Sequence, residues 1–127
     1  MKRHRLLVVE DDLPTLESLR DLFRRAGFDV ETATTGRDAL GQLLDGENPA
    51  AIVLDARMPV MSGEELVMVL RAYRRLAPIP VLLLTAAEVH ERFARHVELV
   101  MRKPFRADEL LAGVESLVNR ADAAAPA

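Results

Sequence analysis

Four short runs of apolar residues, none of them alternating with polar ones, constrain this chain more than any other feature of its sequence. They are Leu6-Leu7-Val8-Val9, Ala51-Ile52-Val53-Leu54, Val81-Leu82-Leu83-Leu84 and a weaker run at Leu99-Val100-Met101. A strand with one wet face alternates, whereas about four consecutive apolar residues suit a strand covered on both faces, the pattern of a parallel sheet. Phe28-Asp29-Val30-Glu31-Thr32-Ala33 does alternate and reads as a strand nearer an edge.

Between the runs the period becomes helical. Leu16, Leu19, Leu22, Phe23 and Ala26 mark one helix face, with Pro14 in its first turn and Gly27 as its stop. Ala39, Leu40, Leu43 and Leu44 mark a second, started by Thr35 with Asp38 three residues on and ended at Gly46. Leu66, Val69, Leu70 and Tyr73 mark a third, opened by Ser62 and Glu65 at capping-box spacing. Leu110, Val114, Leu117 and Val118 mark the last. The pattern from Ala86 to His96 is poor, and a short or irregular fourth helix is expected there. Strand and helix thus alternate five times, and right-handed crossovers place helices on both faces of one parallel sheet. The expected fold is a doubly wound α/β domain.

With 127 residues the chain has room for one such domain, taken as residues 1–120, and the Ala-rich stretch 121–127 is expected to be a disordered tail. Half the residues are hydrophobic and 29% are charged, which excludes a disordered or collagen-like chain. A net charge of −3 argues against direct nucleic-acid binding by bulk electrostatics. Cysteine is absent, so disulfides, thiolate metal sites and Cys nucleophiles are excluded, in keeping with a reducing compartment. No apolar run approaches the ~18 residues of a membrane span or the ~7 to 15 of a secretory signal, so no membrane contact and a cytoplasmic location are expected.

Ligands of such sheets bind beyond the carboxyl ends of the strands. The first strand runs into Glu10-Asp11-Asp12, the third into Asp55, the fourth into Thr85 and the fifth into Lys103-Pro104. Two unit charges about 5 Å apart repel by roughly 3 kcal/mol at an effective dielectric near 20, so a bare carboxylate cluster is unfavourable and calls for a cation. All-oxygen ligation points to Mg²⁺, with Mn²⁺ as a substitute. Lys103 and Thr85 then serve the remaining oxygens of a phosphoryl group as ammonium and hydroxyl donor. One carboxylate can itself be the nucleophile that forms an aspartyl phosphate. Asp55 is the best candidate, because it ends a central strand with Arg57-Met58-Pro59 behind it and Gly63 closing the loop.

Four motifs now resemble one family, the receiver domain of two-component response regulators, over residues 4–120: Leu-Leu-Val-Val-Glu-Asp-Asp at 6–12, Leu-Asp-Ala-Arg-Met-Pro-Val-Met-Ser-Gly at 54–63, Leu-Leu-Thr-Ala at 83–86 and Arg-Lys-Pro-Phe at 102–105. The resemblance implies a flavodoxin-like five-stranded sheet of order 2-1-3-4-5. It implies Asp55 as phosphoacceptor, Asp11 as a direct metal ligand, Glu10 as a ligand acting mainly through metal-bound water, and the Arg57 backbone carbonyl as a further ligand. Thr85 resembles the switch hydroxyl, Lys103 the residue that pairs with acceptor and phosphate, and Pro104 the family's cis proline. The implied donor is a phosphohistidine on a sensor histidine kinase or phosphotransfer protein. By the same resemblance the receiver is expected to catalyse its own modification and its reversal and to be otherwise no enzyme.

The chain also departs from the family. Where an aromatic ring usually stands three residues before the lysine, this sequence has Val100. Only 17 residues separate Thr85 from Lys103, about one helical turn fewer than usual, so the face built from the fourth helix, fifth strand and fifth helix is expected to be remodelled. Phe93 is a candidate replacement for the missing ring. Arg57 and Ala87, two residues after Asp55 and Thr85, are candidate modulators of phosphoryl lifetime, Arg57 by pairing with the phosphoryl group or with Glu64.

Other residues carry plainer expectations. Asp12 reads as a helix cap, His4, His90 and His96 as surface positions, Arg71, Arg74 and Arg75 as an exposed helix face, and Met58, Met61 and Met68 as packing residues. No effector segment follows Arg120, so output is expected by contact with a downstream protein in trans, from a monomer or weak dimer. Two alternatives stand beside the phosphorylation switch: a degenerate receiver acting as a phosphorylation-independent adaptor, and a phosphohydrolase of the haloacid-dehalogenase type, disfavoured because the chain lacks an Asp-x-Asp motif after the first strand.

Overall fold

The computed structural model describes residues 3–58 and 61–124. Five strands, β1 (Arg5–Val9), β2 (Asp29–Ala33), β3 (Ala51–Asp55), β4 (Val81–Thr85) and β5 (Leu99–Arg102), form one parallel sheet in the order β2-β1-β3-β4-β5. Five helices connect or follow them: α1 (Leu13–Arg25), α2 (Gly36–Asp45), α3 (Gly63–Ala72), α4 (Glu91–Ala94) and α5 (Ala107–Ala124).

The non-alternating runs follow from burial on both faces. Leu6, Val8, Ala51, Val53, Leu82 and Leu84 face one core with Leu16, Leu19 and Phe23 of α1 and Leu110, Val114 and Leu117 of α5. Their sequence neighbours Leu7, Val9, Ile52, Leu54 and Leu83 face the other, with Ala39 and Leu43 of α2, Leu66, Val67 and Leu70 of α3, and Phe93 of α4. The alternating strand β2 lies at an edge, as its pattern implies.

Helix starts match their sequence signals. Asp12 caps α1 by accepting from Thr15 N–H, Thr35 caps α2 by accepting from Asp38 N–H, and Ser62 with Glu65 forms a reciprocal capping box on α3. Gly27 ends α1 at φ 98°, a left-handed conformation that residues with a β-carbon rarely adopt. The fourth helix is one turn long, as the weak pattern predicts.

Several expectations require correction. On α3 the buried set is Leu66, Val67 and Leu70; the helix stops at Ala72, and Tyr73 is exposed. Ala26, Leu44 and Met68 are exposed too, whereas Met58 is buried and Met61 half-buried. The expected tail at 121–127 is helical as far as Ala124, because alanine favours helix and the Asp122 carboxylate meets His4 Nε2 at 2.8 Å; residues 125–127 lie outside the described residues.

Of the three arginines expected on an exposed face, Arg74 and Arg75 are exposed and Arg71 is half-buried, and two of them, Arg71 and Arg75, are fastening elements. Arg71 Nε donates to His96 O (2.8 Å), Nη1 to Ala77 O (2.7 Å) and Ile79 O (2.9 Å), and Nη2 to the Glu98 carboxylate (3.0 Å). Arg75 donates to Leu43 O, Leu44 O, Gly46 O and Asn48 Oδ1 at the far end of α2. Arg74 alone stays exposed without such bonds among the described residues. His90 is exposed as expected and caps α4, while His4 and His96 are half-buried.

Candidate functional site

The carboxyl ends of β1, β3, β4 and β5 bring together Glu10, Asp55, Thr85 and Lys103. Glu10, just past β1, is 3% exposed, Asp55 at the end of β3 7%, and Thr85 at the end of β4 5%, although these are polar groups. Such burial needs partners. Carboxylate oxygens of Glu10, Asp11 and Asp55 lie within 4.8 Å of one another, and Lys103 Nζ stands 3.5 Å from Asp55 Oδ1 and 3.8 Å from Glu10 Oε1. The Lys103–Pro104 peptide is cis. Asp12 is not in the cluster; its carboxylate is taken up by Thr15, whose hydroxyl and amide hold its pKa below the usual value.

Backbone amides orient the acids. Arg57 N–H donates to Asp55 Oδ1 at 3.3 Å and Asp11 N–H to Glu10 Oε2 at 3.1 Å. Burial, with the neighbouring Asp55 carboxyl adding to it, pushes Glu10 up to about 8 against the smaller opposing effect of Lys103. Three ionised carboxylates against one ammonium would carry an excess negative charge of two, which the chain alone relieves by keeping a proton on Glu10. The donor set therefore fits a hard divalent cation: all oxygen, anionic, and electrostatically uncompensated.

Thr85 points elsewhere. Its hydroxyl donates to Ala87 O at 3.0 Å and accepts from Ala87 N–H at 3.1 Å, closing a tight turn at the start of the β4–α4 connection. Arg57 is exposed beside an open cleft lined by Asp11, Ala56, Met58, Ser62 and Glu64. No ion pair joins Arg57 to Glu64 among the described residues, so that expected pairing is not made. Val100 is half-buried against the apolar cluster that contains Phe93 and Val97.

Sequence reasoning missed two features. Gly63 lets the start of α3 approach the backbone of Asp55 and Ala56, with its N–H donating to Ala56 O at 3.1 Å. Arg71 ties α3 to the strand that leads to Lys103. Arg71 stands four residues after the buried Val67 and shares its face, but the sequence pattern does not single out Val67 from Val69, so no signal marked it.

A doubly wound parallel sheet with three carboxylates, a lysine and a threonine at its carboxyl edge defines a class of small α/β domains with a cation-ready acidic site. The profile of the response regulator receiver domain matches residues 6–115, and the chain belongs to that family. It is 40% identical over 120 residues to the response regulator MprA of Mycolicibacterium vanbaalenii, covering 91% of this chain and 51% of that protein. It is likewise 40% identical over 120 residues to the transcriptional regulatory protein PrrA of Mycobacterium tuberculosis, covering 91% of this chain and 50% of PrrA. The chain thus spans about half the length of these curated relatives. Among solved structures, the receiver domain of Francisella response regulator 1452 superposes with a TM-score of 0.83 at 30% identity, covering 93% of this chain and 98% of that one. Response regulator TrrA of Thermotoga maritima, solved in complex with Mg²⁺-BeF, gives 0.80 at 29% identity, covering 90% and 98%. Among the described residues no helix is long and apolar enough to cross a membrane.

Proposed function

We propose that this receiver is a Mg²⁺-dependent phosphoryl-accepting switch. One observation carries the reading: Asp55 is buried at the end of the central strand, in one acidic group with Glu10 and Asp11 and 3.5 Å from the Lys103 ammonium. Glu10, Asp11, Asp55 and the Arg57 backbone carbonyl are the groups that hold Mg²⁺, or Mn²⁺ in its place. The bound cation supplies charge neutralisation for the carboxylates and for incoming phosphoryl oxygens.

The chain's own residues do the rest. Asp55 provides the nucleophilic oxygen: an O–P bond forms as the P–N bond of a donor phosphohistidine breaks, and the leaving imidazole keeps the electron pair and takes up a proton. Lys103 is already placed to pair with the phosphoryl oxygens, and Thr85 has a hydroxyl to give them. Exposed Arg57 borders the path by which water reaches the acyl phosphate, and Ala87 adds no competing side-chain donor. The donor is a sensor histidine kinase or phosphotransfer protein, the setting is the cytoplasm, and the output is contact with a protein target. The chain turns over no substrate beyond its own phosphorylation and dephosphorylation.

The test is labelling by acetyl phosphate or phosphoramidate with Mg²⁺. Asp55→Asn is expected to abolish it, and retained labelling would reject the assignment. One observation favours a second reading, an adaptor that binds partners whether or not it is phosphorylated: the half-buried Val100 and one-turn α4 replace the usual output face. Partner affinity unchanged by beryllofluoride would select it.

A further inference from the structure

The groups assigned to the cation are not held equally. Asp55 ends β3 in register with Leu84, and the next amide, Ala56 N–H, still donates to Leu84 O at 2.9 Å. Glu10 is fixed by its own N–H on Ala33 O at 3.0 Å. Arg57, whose main-chain carbonyl completes the set, lies two residues past the sheet, in the connection from β3 to α3, and its N–H reaches only the Asp55 carboxylate. The place of that carbonyl therefore depends on what holds the connection.

Its neck is closed where Gly63 N–H meets Ala56 O at 3.1 Å. Further along, the connection meets α2. Gly36, the first residue of that helix, is buried, and a β-carbon on it would stand 3.0 Å from both Met61 O and Met61 Cγ and 3.1 Å from Met61 Cβ. Those distances are well inside the ~3.5–4.0 Å at which carbon atoms pack best. Helical backbone asks for no glycine here: the positive-φ glycine among the described residues is Gly27, and alanine is the better helix former. What Gly36 supplies is space. The start of α2 is itself a fixed point, since it comes three residues after Ala33, which holds Glu10, and Thr35 caps it by accepting from Asp38 N–H at 3.0 Å.

We propose that the contact between Gly36 and Met61 positions the Arg57 carbonyl for the cation, which makes Gly36, on an element that carries no ligand, a positioning residue of the metal site. The inference rests on Mg²⁺ binding at Asp55. Mg²⁺ demands near-ideal octahedral geometry at about 2.0–2.1 Å, so a ligand displaced by a few tenths of an ångström is a poor one. A β-carbon on Gly36 forces a displacement of that size on the Met61 main chain, whose carbonyl cannot rotate away as a side chain does, while the neck between Ala56 and Gly63 stays closed. The strain then falls between the neck and Met61, where Arg57 lies. Asp55 is held by the sheet and keeps its place, so affinity for the cation is separable from the chemistry of the acceptor.

The experiment is isothermal titration calorimetry of the full chain with Mg²⁺, accompanied by urea unfolding in EDTA and by acetyl phosphate labelling. Gly36→Ala is expected to lower Mg²⁺ affinity about tenfold, as loss of a supporting residue does at other metal sites, with labelling at saturating Mg²⁺ within about twofold of the parent. Gly41→Ala is the control: it lies in the same helix, a β-carbon there meets nothing within 4 Å, and it should raise the urea midpoint and leave Mg²⁺ affinity unchanged. Met61→Ala removes the Cγ side of the contact, so Gly36→Ala should cost less affinity in that background than in the parent, and strictly additive losses would overturn the contact. Where Gly36→Ala unfolds the domain, Met61→Ala alone answers in its place: lowered Mg²⁺ affinity supports the contact and parent affinity overturns it. Parent affinity in a folded Gly36→Ala, or a labelling loss that saturating Mg²⁺ does not restore, overturns the positioning role while leaving Mg²⁺ and Asp55 in theirs. A parent chain that binds no Mg²⁺ overturns the metal reading and this inference with it.

Discussion

Gly63, the first residue of α3, lies so close to the Asp55 carbonyl that a β-carbon on it would overlap that oxygen and stand 2.9 Å from Ala56 Cα. The atoms it would meet are backbone, which cannot rotate away as a side chain does. The acceptor strand and the helix that follows it are therefore set by the absence of one methyl group.

Gly63→Ala is accordingly expected to push α3 off the end of β3. Overpacking of this kind costs about 1–3 kcal/mol, and urea denaturation measures it. Because the displaced atoms carry the Asp55 side chain, acetyl phosphate labelling should fall about tenfold or more even where the variant is fully folded. Unchanged labelling in a destabilised variant would show that the close approach matters for folding alone.

The neighbouring arginines make a sharper pair. Arg75 Nη2 donates to Leu43 O at 2.6 Å and Leu44 O at 3.2 Å, and Nη1 to Gly46 O at 2.9 Å, satisfying carbonyls that the end of α2 leaves open. Arg75→Ala should destabilise the domain by about 1–2 kcal/mol, whereas Arg74→Ala should stay within about 0.5 kcal/mol. Neither should alter labelling of Asp55. Equal effects on thermal or urea unfolding would refute the distinction.

That pair also shows where the sequence was readable. Strands β1, β3 and β4 announce themselves because both their faces are buried, and the site is legible because acids, hydroxyl and lysine each stand at a strand's carboxyl end. Helix starts are legible because caps act within four residues of sequence. What escaped depends on partners remote in sequence. Arg71 reaches His96 and Glu98, Arg75 reaches Leu43, and Gly63 is constrained by a backbone atom eight residues earlier; none of these leaves a periodic trace. Val67 and Val69 both fit a helical stripe through Leu66 and Leu70, so periodicity does not choose between them; the packing of α3 on the sheet does, and it buries Val67.

Asp55→Asn should do more than block labelling. It removes one of three converging carboxylates while keeping the size and hydrogen-bonding capacity of the side chain. In metal-free buffer above pH 8, where Glu10 is ionised as well, the variant should be more stable than the parent by about 1 kcal/mol, since roughly that much repulsion survives at high effective dielectric. Added Mg²⁺ should stabilise the parent more than the variant. Denaturant midpoints with EDTA and with Mg²⁺ decide it, and a less stable variant in EDTA would mean that the Lys103–Asp55 pair outweighs the repulsion.

Glu10 makes the metal-free protein sensitive to pH. Its carboxyl holds a proton up to about 8 in the folded chain but only to the ordinary value of 4.5 when unfolded. Between those values the folded state binds a proton that the unfolded state does not, so stability is full below about 4.5 and falls as pH rises towards 8. Unfolding curves at a series of pH values in EDTA should show this decline, and Glu10→Gln should flatten it. Mg²⁺ favours the ionised carboxylate and should flatten it as well, with apparent Mg²⁺ affinity rising over the same range. A decline of equal slope in Glu10→Gln would place the responsible proton on another group.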